Sequence, residues 1–483
     1  MNERGREGIS SIEKKELLID KLFSINNVIN NLEVIGEIPK TKNLVRKAVK
    51  VAWPSTVESF LVAMVSFIDT IMVSTLGSYA IAAVGLTTQP KFLCLTLFIS
   101  LNIAVSSVVA RRKGENDRKR ANNTLLQALI ITGVLSIIIS ALAIIFAEPF
   151  LRFAGSKSDT HIYAVTYFRI IMGGLIFNVI SLVINAAQRG CGNTKIAMRT
   201  NIASNLVNII FNYLLIGGKF GFPALGVAGA AIATVLGTIV AFFMSIYSIS
   251  HSDGFLYIKS FKNNINIDKS SLKSLFSVGS SSFIEQIFIR TGFLLYSLII
   301  ANLGTSAFAA HQIGMNIINI SFSLGDGLSV AGVALIGQNL GKKRPDLAKI
   351  YGSICRRIGL VASIMISIIY AILGKDIFKL FTNDPEVLEY SFNIMNLVII
   401  IVIFQIAHAI YGGCLRGAGD TKYTAVVSLI SITFVRPFVG WLLTYPLSLG
   451  LIGAWFGILT DQIVRFYLTS RRFKSGKWTE IKI

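Results

Sequence analysis

Glu58 and Asp69 stand 11 residues apart in one apolar stretch. At 100° per residue that spacing puts both carboxylates on one helix face, about three turns apart. An acid surrounded by hydrocarbon is costly and reads as a functional group. It is stabilised by taking up a proton, which neutralises it. Pro54 precedes Asp69 by 15 residues and frees backbone groups near the start of the same stretch, where a helix can bend. A third acid, Glu285, is followed five residues on by Arg290. Asn208 and Asn212, at i and i+4, share a face and can hydrogen-bond a protonated acid or coordinate a cation. Asn178, Asn185 and Asn205 lie nearby in sequence, and Gln405, His408 and His311 mark later apolar stretches. Lys91 follows Pro90, and Arg436 precedes Pro437. Hydrogen bonds or ion pairs between helices are the structural alternative at each of these positions.

The elements that must position these groups are duplicated. Leu76-Gly77-Ser78-Tyr79-Ala80 returns as Leu303-Gly304-Thr305-Ser306-Ala307, and Arg189-Gly190-Cys191-Gly192-Asn193-Thr194-Lys195 as Arg416-Gly417-Ala418-Gly419-Asp420-Thr421-Lys422. Both pairs are 227 residues apart, the separation that carries Glu58 onto Glu285. Leu225-Gly226-Val227-Ala228-Gly229-Ala230 returns 224 residues later as Leu449-Gly450-Leu451-Ile452-Gly453-Ala454.

A bilayer core of about 30 Å needs about 20 apolar residues per helix. Twelve runs meet that length. Spans 1 to 6 are expected near 51–75, 82–110, 122–147, 161–187, 196–217 and 224–250. Spans 7 to 12 are expected near 275–301, 309–336, 354–374, 387–414, 423–445 and 449–470. The predicted fold is an all-α polytopic membrane protein of twelve transmembrane helices in two pseudo-symmetric six-helix lobes. An even number of spans per copy makes the repeat parallel. The expected organisation is a cytoplasmic extension at 1–45, lobes at 46–250 and 273–470, a cytoplasmic linker at 251–272 and a basic cytoplasmic tail at 471–483. Leu18, Leu22, Ile25, Ile29 and Leu32 fall on one face of an amphipathic helix in the extension.

Composition agrees: 53% of the 483 residues are hydrophobic and 15% charged, against about 25% charged in soluble domains. The net charge of +21 does not form one stripe with interleaved aromatics, so no nucleic-acid partner is expected. With a cytoplasmic N-terminus most of the 46 Lys and Arg fall on the cytoplasmic side, as the positive-inside rule requires. Both termini are therefore expected inside, in a multi-pass protein of the inner (plasma) membrane. Cys94, Cys191, Cys355 and Cys414 form no CxxC pair, and no HExxH, GxSxG or Walker loop is present. Neither a cofactor nor an enzymatic activity is expected.

Phe67-Ile68-Asp69-Thr70-Ile71-Met72-Val73, Leu76-Gly77 and Ala82-Ala83-Val84-Gly85-Leu86 add a further pattern. With the two Arg-Gly-X-Gly-Asn/Asp-Thr loops and Gly229-Ala230-Ala231-Ile232-Ala233-Thr234, the chain resembles the multidrug and toxic compound extrusion (MATE) family over residues 46–470. The resemblance implies a monomeric twelve-helix antiporter that exports small organic cations across the lipid bilayer in exchange for H⁺ or Na⁺. It makes Asp69 the coupling acid and a Na⁺ ligand, Pro54 the bending proline of span 1 and Glu285 the span 7 acid. It also makes Thr234 part of the first-lobe site. Two branches of the family carry an acid in span 5 or span 10, where this sequence has Asn212 and Gln405.

The expected site set is then Asp69, Asn208, Asn212 and Thr234 for ion coupling, with Glu285, Glu58 and Gln405 for the cationic substrate. The alternative is a flippase for a lipid-linked glycan, whose pyrophosphate would seek Lys91, Arg290 and Arg436.

Overall fold

The computed structural model describes residues 34–156, 158–251, 254–257, 268–382 and 384–483. The extension's amphipathic helix falls at 18–32, outside the described residues. In the first half the spans are Thr41–Ser74, Ser78–Gly114, Arg118–Ile145, the pair Ser158–Gly173 and Leu175–Gly190, Thr194–Gly217, and Gly226–Ser248. In the second half they are Lys269–Ala301, Thr305–Gly341, Pro345–Lys379, Pro385–Ala418, a composite running from Thr421 to Thr444, and Gly450–Lys474. These are the twelve expected spans, in the expected order.

Among the described residues nine helices are long and apolar enough to cross a membrane, and ten if the pair bent by 49° counts as one span. The two that fall short explain themselves. Thr194–Gly217 carries Lys195, Arg199 and four asparagines, and Gly450–Lys474 carries Asp461, Gln462 and Arg465. In span 11 a π-helical turn, Leu429–Val435, precedes Arg436-Pro437. Pro437 has no N–H to donate, and a wider turn is one way a helix absorbs that loss.

The duplication is written in the backbone. Gly77 and Gly304 begin spans 2 and 8 at φ of 108° and 106°, a region that side chains with a Cβ rarely occupy. Gly229 and Gly453 hold the same place in the two copies. A Cβ on Gly229 would lie 2.5 Å from the Leu215 carbonyl oxygen, and one on Gly453 2.6 Å from that of Leu443. Spans 5 and 6, and likewise 11 and 12, therefore touch backbone to backbone, the close approach that small residues permit in membranes.

Contacts divide the chain into two compact units. The first comprises Val57–Phe288 with Thr421–Ala425 and Ile483, and the second, among the described residues, 34–56, Ile289–Asp420 and Val426–Lys482. These units are not coextensive with 46–250 and 273–470, because spans 1, 7 and 11 each contribute residues to both. Leu275 and Val278 of span 7 pack in the first unit with Leu101, Ala104, Val105 and Ala121. Leu44 and Ala48 of span 1 are buried, and Lys47 lies over the Tyr351 ring at 5.5 Å, in the second unit.

Span 7 is capped by Asp268, which accepts from the Ser270 N–H at 3.0 Å and the Ser271 hydroxyl at 2.7 Å. The Ser271 bond, first among these, holds the Asp268 carboxyl below its ordinary range. The start of the 251–272 linker is packed: Arg118 donates to the Gly254 and Phe255 carbonyls at 2.7 and 3.1 Å, and Leu256 is buried. The basic tail is packed too. Trp478 stacks on Phe473 at 5.0 Å and donates to its carbonyl at 2.8 Å.

Candidate functional site

In the first unit, Asp69 is half-buried and faces span 5. Asn212 donates from its amide to Asp69 Oδ1 at 2.7 Å. Asn208 lies between Asp69 and Thr234. With its nitrogen toward the acid it donates to Oδ1 and Oδ2 at 2.8 and 3.2 Å, and its oxygen accepts from the Thr234 hydroxyl and N–H, each at 3.2 Å. That orientation is the one in which neither end of the amide meets a like partner. Both asparagines are buried, at 6% and 2% exposure. The i,i+4 spacing thus aims two amides at one carboxylate, while span 6 brings Thr234 to the same point.

One atom of this set is left over. Asn212 Oδ1 is buried and has no hydrogen-bond partner. A buried carbonyl without a partner costs about 1–3 kcal/mol, and here it sits beside a carboxylate. The carboxylate and this amide oxygen are hard oxygen donors of the kind that suit a cation such as Na⁺. A protonated Asp69 would instead offer the missing donor. Tyr167, which sequence reasoning passed over, is buried with Val73, Ala230 and Ala231 in the cluster that walls this region. Nothing in an apolar run distinguishes such a tyrosine. Lys91 makes no ion pair with Asp69; its ammonium lies 5.9 Å from the Phe92 ring.

Glu58 has a different setting. Arg189 donates to its Oε1 at 2.8 Å and Asn201 at 2.5 Å, with Glu58 only 7% exposed. Arg189 belongs to the repeated Arg-Gly-X-Gly loop, so the acid fastens that loop to span 1. Its charge is matched by Arg189 within the protein. Glu285, its counterpart in the repeat, is 3% exposed and accepts from the Thr424 hydroxyl at 2.8 Å. Asn185 takes the structural role open to it: its oxygen accepts from the Ser245 hydroxyl at 3.4 Å, between spans 4 and 6.

In the second unit, Gln405 is buried and its Oε1 has no partner. Arg436 gains a clear setting. It donates from Nε and Nη2 to Asp461 Oδ2 at 3.0 and 2.5 Å, while Arg465, one turn along, donates to both carboxylate oxygens at 3.0 and 2.6 Å. Asp461 is fully buried. The Arg436 guanidinium also lies over the Phe293 and Tyr296 rings at 4.9 and 5.7 Å. His311 stands edge-on between Tyr296 and Trp455, at 5.8 and 5.7 Å. Asp461 is thus shared by two guanidinium groups.

The MatE family pattern matches residues 54–214 and 282–442, once in each copy of the repeat. The chain is 29% identical over 448 residues to a probable multidrug resistance protein NorM of Thermotoga maritima, covering 92% of this chain and 94% of that protein. It is 27% identical to an uncharacterised transporter, YisQ, of Bacillus subtilis, covering 89% and 94%. Among solved structures it resembles an outward-facing multidrug resistance MATE family transporter of the MOP superfamily. The TM-score there is 0.82 at 20% identity, over 92% of this chain and all of that one. It also resembles a MOP superfamily transporter of Pyrococcus furiosus described by the reversed polarity of its binding pocket, with a TM-score of 0.81 at 20% identity and the same coverage. With both copies matched, a twelve-helix two-lobe fold and an intramembrane acid held by amides, the chain belongs to the MatE family of membrane transporters.

Proposed function

We propose that this protein exports lipophilic organic cations across the inner membrane in exchange for H⁺ or Na⁺. The observation that carries the reading is the Asp69 site, where Asn208, Asn212 and Thr234 converge on one carboxylate and leave one amide oxygen to be satisfied. The multidrug resistance name of the Thermotoga maritima relative supports the same substrate class. Asp69 takes up the driving ion from outside, and the neutralised site releases its hold on the exported cation. Glu285, next to Thr424, binds the cationic substrate or a second ion. Glu58 is a fastening for the Arg189 loop rather than a substrate ligand.

The roles of the two acids separate in one assay. Efflux of a fluorescent cation from vesicles is measured against substrate concentration at two external pH values. Glu285→Gln is expected to raise the apparent KM roughly tenfold, about 1.4 kcal/mol, and to keep the pH dependence. Loss of pH dependence with an unchanged KM would exchange the assignments.

The orientation proposed has both termini inside. In a cysteine-free background, Phe220→Cys, between spans 5 and 6, should react with an impermeant maleimide in intact cells, and Ser475→Cys should not. The reverse labelling would invert the topology.

A second reading has one observation in its favour, the two guanidinium groups gathered at Asp461. A flippase for a lipid-linked glycan would use such charge against pyrophosphate. Cells expressing the chain should then gain no tolerance to ethidium, and should instead recover a glycan-lipid translocation defect.

A further inference from the structure

The leading part of span 1 has two faces. Leu44, Ala48, Val51, Ala52 and Ser55 are buried, and at 100° per residue they gather on one side of the helix. Lys42, Arg46, Val49, Lys50 and Trp53 fall on the opposite side, within an arc of about 100°, and all five are exposed, Trp53 at 64%. Lys42, Val45, Arg46, Val49 and Lys50 line a groove of about 430 Å³. Among the described residues neither Arg46 nor Lys50 has an acidic partner. Lys47 is not part of this surface, because it is turned back over Tyr351.

This arrangement has the dimensions of a bilayer boundary. From Lys42 to Trp53 the helix rises about 16 Å, about the depth of one headgroup region with the first part of the chains below it. Tryptophan prefers the boundary between headgroup and hydrocarbon. The cations sit above it at i, i+4 and i+8, with valines at i+3 and i+7 between them. A free anion would be met by the lysines and arginine but would gain nothing from Val45, Val49 and Trp53. A phosphate carrying acyl chains is met by both.

We propose that residues 42–53 form a binding site for an anionic phospholipid, with the headgroup phosphate on Lys42, Arg46 and Lys50 and the acyl chains running along Val49 and Trp53. The site needs only that the chain spans a bilayer, so it stands or falls apart from the transport reading.

The full chain, purified in detergent, is offered equal amounts of phosphatidylglycerol and phosphatidylcholine, and retained lipid is counted by native mass spectrometry. The chain is expected to keep phosphatidylglycerol in preference. Each basic residue near a charged headgroup is worth about 1 kcal/mol, or roughly fivefold. The combined variant Lys42→Gln, Arg46→Gln, Lys50→Gln should therefore lose at least about tenfold in retained phosphatidylglycerol. Trp53→Ala should weaken retention of both lipids. The control Arg471→Gln with Lys474→Gln, two exposed basic residues of span 12, should retain lipid as the parent does. All these side chains are exposed, and an unchanged melting temperature will show that the variants are folded. Equal phosphatidylglycerol retention by the triple variant and the parent overturns the proposal. So does displacement of the lipid by inorganic phosphate at equal concentration, which would make the groove a phosphate site.

Discussion

Asp69→Asn is expected to abolish export driven by an ion gradient while leaving the protein folded and inserted. The substituted amide keeps the size of the carboxylate and its place beside Asn208 and Asn212, but it can neither take up a proton nor offer a charge to Na⁺. In a one-for-one exchange the charge of the entering ion cancels that of the leaving cation, so a tenfold H⁺ or Na⁺ gradient supplies about 1.4 kcal/mol and supports a substrate gradient of about tenfold. The variant should lose that accumulation and equilibrate its substrate only passively. The measurement is efflux of a fluorescent cation from energised vesicles with pH and Na⁺ gradients imposed separately. The response to one of the two gradients should disappear, and that response names the coupling ion. Normal uphill export by Asp69→Asn would remove this acid from the mechanism.

Asp461→Asn should do the reverse, damaging the fold. Its carboxylate is fully buried and is the shared partner of Arg436 and Arg465. Neutralising it takes the shared carboxylate from two guanidinium groups inside the second unit, and breaking a buried pair from one side costs about 3–5 kcal/mol. Melting in detergent should fall by on the order of 10 °C, with reduced membrane yield. Removing the whole set, Arg436→Met with Asp461→Leu and Arg465→Met, should recover most of that loss, because apolar replacement also removes the desolvation cost. An Asp461→Asn protein as stable as the parent would mean that the triad contributes nothing.

The contrast between these two acids shows what the sequence could and could not reveal. Asp69 was legible because its partners Asn208 and Asn212 declare themselves by i,i+4 spacing. The repeat and the twelve spans were legible because hydropathy and duplicated loops are properties of the chain order itself. Thr234 was reached only by resemblance. Asp461 was missed, because span 12 looks like the weakest apolar run and its partner Arg436 is 25 residues away across a turn. The same limit hid the Arg189–Glu58 pair, whose partners are 131 residues apart. Helix ends ran past the apolar runs. Span 1 begins at Thr41 rather than 51, since basic residues that face outward at a boundary still belong to the helix. Tyr167 could not be singled out at all, because an aromatic residue in an apolar run looks like any other wall.

The Arg436–Asp461 contact also bears on how the chain enters the membrane. A single Asp or Arg at the centre of a lone helix disfavours partition into the bilayer by about 2.5–3.5 kcal/mol. Span 12 carries both Asp461 and Arg465 and is less apolar than span 11. Span 11 has Arg436 to offer, and Gly453 lets the two helices meet at Leu443. Released from the translocon alone, the last helix would be retained at the aqueous boundary. Held beside span 11, it can hide its charges before it meets lipid, so entry of the two helices as a hairpin is favoured over entry one at a time.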